Sequence, residues 1–183
     1  MRRSMRSWIA ALVLSAGVLA GGARAAEVGD PAPEIKAGGQ WFNSAPVSIA
    51  QLRGKVVLVN VWVFSCSNCQ RSLPTLRAWY EKYQGQGFEI VGVNTPEFDS
   101  DRAAASVAAA VRREKLPWPV VQDNDTATWR AYGATAWPGF YLIDRQGKIR
   151  AVHEGEISSR YPDAIPGLEK KLQALLAEPG GQG

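Results

Sequence analysis

The sequence predicts an α/β protein, a three-layer sandwich built on a central mixed sheet. Three observations carry that expectation. KVVLVNVWVF (55–64) and FEIVGVNTP (88–96) are nearly continuous apolar, β-branched runs, as strands buried on both faces of a sheet require. Between them Leu73, Leu76, Trp79, Tyr80 and Tyr83 recur at spacings of three and four, which marks an amphipathic helix. The C-terminal third holds two strand-like runs about a turn and then a second helical stretch, so strands alternating with helices end in a hairpin and a helix. At 183 residues, 46% hydrophobic and 9% aromatic, the chain suits one domain with a real core.

In chain order, MRRSMRSWIAALVLSAGVLAGGARA (1–25) has a basic start, an apolar run from Trp8 to Ala20 and a small-x-small end at Ala23, Arg24 and Ala25. This is the pattern of a cleaved secretory signal peptide. Its 13 strongly apolar residues fall short of the roughly 20 that a spanning helix needs. The mature domain is expected over 26–183. After a Gly/Pro-rich lead (29–40), WFNSAPVSIAQLRGK (41–55) reads as a short N-terminal β-hairpin or turn region feeding the first buried strand. The helix of Cys69–Tyr83 contains Pro74, which removes one backbone bond. Past the second strand, DSDRAAASVAAAVRREKL (99–116) is an alanine-rich helix with Asp and Ser at its start and basic residues at its end. WPVVQDND is a short strand and exit loop, and TATWRAYG makes one or two helical turns closed by Gly133. GFYLIDRQGKIRAVHEG forms two strands about Gln146 and Gly147, and DAIPGLEKKLQALLAE is the last helix. Trp41, Trp62, Trp79, Trp118 and Trp129 read as core, whereas Trp137 is a surface candidate.

Charge excludes one class of partner. The leader holds four of the 21 basic residues and none of the 17 acidic ones, so the rest of the chain is formally neutral. The +4 net charge therefore reflects the leader and argues for no nucleic acid partner. Export would also place the protein in a periplasm or other extracytoplasmic, oxidising space, where a thiol pair is kept reduced by a dedicated donor or else serves as an oxidant.

The chemistry is concentrated in FSCSNCQRSLP (64–74), which holds the only two cysteines, Cys66 and Cys69. A structural staple is the weakest reading, because closing so short a loop restricts the unfolded chain little. A redox centre and a metal clip remain. At a strand-to-helix turn, the N–H groups and dipole of the helix start favour a thiolate at Cys66. Cys69, one turn in, is placed to attack a mixed disulfide at Cys66 and release the partner. For a clip, two thiolates suit Cu(I), but two ligands leave a zinc site incomplete and no His-x-x-His or Met cluster completes it. Gln70, where a histidine would be needed, excludes haem attachment. His153, the only histidine, reads as a packed or hydrogen-bonded residue, with ligand or proton carrier as its other readings.

The ordered set of C-x-x-C with Pro74, the strand VVLVNVW and the later WPGFYLID resembles the thioredoxin-like fold. SIAQLRGKVVLVNVW, VNTPEF and DNDTATWRAYG are more similar to the exported TlpA/ResA-type redoxin branch, and especially to the soluble redoxin domain of DipZ-type proteins, over about residues 30–177. The resemblance implies an extracytoplasmic thiol:disulfide oxidoreductase without a cofactor, a monomer. Its partners would be exported proteins with cysteine thiols or disulfides and a membrane or periplasmic electron donor or acceptor. It implies that Trp137 and Pro138 form a cis-proline loop across the cysteines, binding substrate, and that Glu97 is the acid beside the resolving Cys69. Asn60 stands where cytoplasmic thioredoxins carry a buried aspartate, and Ser65 where many relatives have tryptophan. Redoxin and peroxiredoxin domains share the fold, so a thiol peroxidase is an alternative. Val63 and Val59 occupy the positions where such peroxidases carry Thr or Ser and Pro, which argues against it.

Overall fold

The computed structural model describes residues 25–179. The expected signal peptide therefore lies outside the described residues, apart from Ala25. Among the described residues six strands form one mixed sheet: β1 (Trp41–Phe42), β2 (Val56–Trp62), β3 (Phe88–Asn94), β4 (Val120–Gln122), β5 (Gly139–Ile143) and β6 (Ile149–Glu154), in the order β1-β4-β3-β2-β5-β6. β2, β3 and β4 run parallel, and β1, β5 and β6 join by antiparallel pairing. Within the described residues four α-helices accompany them: α1 (Ser67–Tyr83), α2 (Ala104–Arg113), α3 (Ala127–Tyr132) and α4 (Ala164–Ala177).

β2 explains the sandwich. All seven of its residues are buried, and the period of two divides them between faces. Val56, Leu58 and Trp62 pack with Leu73, Leu76 and Trp79 of α1, Val107 and Val111 of α2, and Leu168 and Leu172 of α4. Val57, Val59 and Val61 face a second core with Ile49, Leu52 and Tyr132, edged by Trp41 and Trp129. The second layer is therefore largely the irregular N-terminal segment and the short α3. Trp62, Trp79 and Trp118 are fully in the core, whereas Trp41 and Trp129 are half-buried at its edge.

Two elements differ from the sequence expectation. In place of an N-terminal hairpin, Trp41–Phe42 pairs antiparallel with Val120–Val121 at the sheet edge. Asn43 takes a left-handed conformation (φ 66°), which asparagine tolerates, and its side-chain amide donates to the carbonyls of Leu116 (2.8 Å) and Trp118 (2.9 Å). Those bonds hold the segment beside β4 and away from β2. The helix expected from Asp99 is interrupted: Asp99–Arg102 is a 3-10 turn, Ala103 is extended, and α2 begins at Ala104. The Asp101 carboxylate folds back to accept from the Phe98 N–H (3.0 Å), a local alternative to helical pairing.

Candidate active site

β2 ends at Trp62 and the chain turns at once into α1, with Cys66 as its N-cap. Both cysteines are free thiols, Cys66 half-buried and Cys69 buried. The Cys69 N–H donates to Cys66 Sγ at 3.3 Å, so the sulfur takes the place of a capping oxygen. The Cys66 pKa is lowered to about 6, chiefly by the hydrogen bond from the Cys69 thiol, with help from the N–H groups of Cys69 and Asn68. Partial burial and the Glu97 charge oppose that shift. Burial pushes the Cys69 thiol far up, and its bond to Cys66 and the charges of Cys66 and Glu97 add to the rise. One sulfur is therefore a thiolate at neutral pH, while the other holds its proton.

The other sequence-predicted residues converge here from distant segments. Trp137–Pro138 is a cis peptide just before β5, and Cys66 Sγ lies 3.9 Å from the Trp137 carbonyl oxygen. The Trp137 indole donates to the Thr95 carbonyl (3.1 Å), and its ring stacks on Trp129 with centroids 4.2 Å apart. Glu97 follows β3, is exposed, and bears on both sulfurs through its charge. His153 does not join this group. It sits on β6 opposite Phe140 and stacks on that ring (26° between planes, centroids 6.1 Å apart), and burial lowers its pKa. That is a packed histidine. Among the described residues no group of three or more His, Cys, Asp or Glu side chains could hold a metal ion.

Two buried aspartates were missed by the sequence reasoning. Asp101, 1% exposed, accepts at one oxygen from Ser65 Oγ (3.0 Å), Glu97 N (3.2 Å) and Phe98 N (3.0 Å). Asp123 accepts from Thr95 Oγ1 (3.0 Å) and from the N–H groups of Thr128 and Trp129 (both 2.9 Å), and so links the end of β3 to the start of α3. The only local signal was an acid at a helix start. Partners 36 and 28 residues away leave no mark in the pattern.

Residues 28–152 match the AhpC/TSA family. This chain belongs to that family. Like the domain expected from its motifs, it is a redoxin with a thioredoxin-like fold, and among its relatives Protein DipZ of Mycobacterium tuberculosis is 38% identical over 128 residues. Those residues are 68% of this chain and 18% of DipZ, so the chain spans less than a fifth of that relative. Thiol-disulfide oxidoreductase YkuV of Bacillus subtilis is 28% identical over 149 residues, covering 81% of this chain and 95% of YkuV. Among solved structures, the thioredoxin domain of a thiol-disulfide oxidoreductase from Bacteroides vulgatus superposes with a TM-score of 0.62 at 28% identity. It matches 79% of this AhpC/TSA chain and 97% of its own.

Proposed function

We propose that the protein is a thiol:disulfide oxidoreductase that works outside the cytoplasm on exported proteins through Cys66 and Cys69. The observation that carries this reading is the opposed pair of thiols: one lowered to about 6 at the start of α1, the other buried one turn along with its proton retained. The near full-length match to an oxidoreductase supports it.

In the reducing direction the Cys66 thiolate attacks one sulfur of a partner disulfide. A mixed disulfide forms and the partner's other sulfur leaves as a thiolate, which takes up a proton. Cys69 then attacks Cys66 Sγ, the mixed disulfide breaks, and the second partner thiol is released. The enzyme is oxidised to a Cys66–Cys69 disulfide as the partner gains two electrons and two protons, and the reverse sequence oxidises a partner. Because Cys69 holds its proton strongly, the second step needs an acceptor, and Glu97 is the acid whose charge reaches both sulfurs. The Trp137 carbonyl beside Cys66 offers a backbone acceptor to an extended partner segment, and its ring offers apolar contact. Donor or acceptor proteins of the membrane or periplasm would reset the pair.

The test is to express a Cys69→Ser variant, which cannot resolve the intermediate. It is expected to accumulate mixed disulfides through Cys66 with exported proteins, and adding Trp137→Ala is expected to lower their yield more than it slows reaction with a small disulfide. No trapped protein, together with consumption of hydrogen peroxide or thiol-dependent binding of Cu(I), would replace this reading with the peroxidase or metal-carrier alternative.

A further inference from the structure

We infer that Asp101 and Ser65 are positioning residues that hold Glu97 against the cysteine pair. The inference rests on the proton-acceptor role proposed for Glu97. Ser65 immediately precedes Cys66, and its hydroxyl donates to Asp101 Oδ2 at 3.0 Å. The same oxygen accepts from the backbone N–H of Glu97 at 3.2 Å and of Phe98 at 3.0 Å. One buried carboxylate oxygen thus ties the turn that presents Cys66 to the segment that presents Glu97.

A purely local role would not need the Ser65 bond. Capping the 3-10 turn is accomplished by the Phe98 N–H alone, whereas the hydroxyl comes from a segment 36 residues away. A buried carboxylate is tolerated when its donors are all in place, so the three bonds act as a unit and loss of one loosens the others. Glu97 itself is exposed, and it is its backbone that Asp101 holds. Ser65 therefore supplies the hydroxyl that makes this link.

The titratable and charged groups around Cys66 are Cys69 and Arg71 on α1, and Glu97 after β3 with Asp101 behind Ser65. The turn before β5 contributes the Trp137 carbonyl. Arg71 is itself paired with Glu156 at 2.8 Å. Of the acids, Glu97 bears on both thiols.

The experiment measures the pH dependence of Cys66 alkylation in the reduced full chain, a readout independent of the exchange activity. E97Q should move the midpoint down, by about half a pH unit or less, because the removed negative charge opposes the thiolate. S65A and D101A should each move it down as well, and adding E97Q to either should produce no further displacement. D101N keeps the accepting oxygen and should stay near the wild-type midpoint. Additive displacements for S65A and E97Q would overturn the inference while leaving the Glu97 role intact. A wild-type midpoint for E97Q would overturn the Glu97 role and the inference with it. Should D101A fail to fold, S65A, which deletes one hydroxyl, carries the same test.

Discussion

Cys66 and Cys69 have identical chemistry and sit one helical turn apart, yet their surroundings drive them in opposite directions. Cys66 is at the capping position, where N–H groups and the Cys69 thiol converge on its sulfur, and its pKa falls from 9.0 to about 6. Cys69 faces the core and is 1% exposed. About nine in ten Cys66 side chains are then thiolate at pH 7. Brief alkylation at neutral pH should label Cys66 first, with a midpoint near pH 6, and peptide mapping that finds Cys69 labelled first would reverse the assignment. The same shift couples to stability. A thiol whose folded pKa is depressed stabilises the fold fully above its unfolded value of about 9, and that contribution is lost as pH falls through about 6. Reduced wild-type protein should therefore gain stability over C66S, in which the serine oxygen can still cap α1, as pH rises from 6 to 9. Equal denaturation midpoints for the two proteins across that range would contradict it. The cysteine pair was legible in the sequence because its signal is local: two residues, a fixed spacing and a strand-to-helix turn.

At the scale of elements, the strands and long helices were legible because burial on one or two faces writes a period into the chain. What escaped were contacts made by single side chains across large separations. The two-residue β1 is placed by Asn43 bonding to carbonyls 73 and 75 residues away, and the break before α2 is set by Asp101. α3 belongs to the same group. At six residues it is too short to persist on its own, and Asp123 supplies acceptors for two of its first N–H groups. Asp123 also receives the Thr95 hydroxyl, and Thr95 accepts the Trp137 indole that stacks on Trp129 of α3. Asp123→Ala should therefore cost about 1–2 kcal/mol in chemical denaturation, the upper part of the range for lost caps, and should alter the tryptophan fluorescence of the native state. Thr95→Ala removes one of the three bonds and should cost less. A loss for Asp123→Ala no larger than that for Thr95→Ala would show that α3 is held by packing and not by its cap.

The whole molecule is organised around β2, whose six apolar residues divide between the two cores and whose C-terminal end delivers Cys66. Its one polar residue is Asn60, 2% exposed, paired with Gly92 of β3 on one side and Phe140 of β5 on the other. The Asn60 amide donates to the Gly139 carbonyl at 3.3 Å and to the Val61 carbonyl at 3.4 Å. It thus joins the strand before the cysteines to the residue that follows Pro138. A donor is required there, since both partners are carbonyl oxygens. The neutral amide stays a donor at every pH, so no proton is exchanged at the sheet centre beneath the thiols. Asn60→Asp would put a titrating group there. A protonated aspartate could still donate to one carbonyl, but an ionised one faces two acceptors in a dry interior, which raises its folded pKa. A raised folded pKa means the loss is smallest below the unfolded value of about 4 and grows as pH rises toward the folded value. The variant should be near wild type in denaturation midpoint at about pH 4 and lose on the order of 1–3 kcal/mol or more by pH 7. A loss that does not change with pH would mean that the carboxylate has reached water or a cation. In that event the centre of the sheet would be more open than its packing indicates.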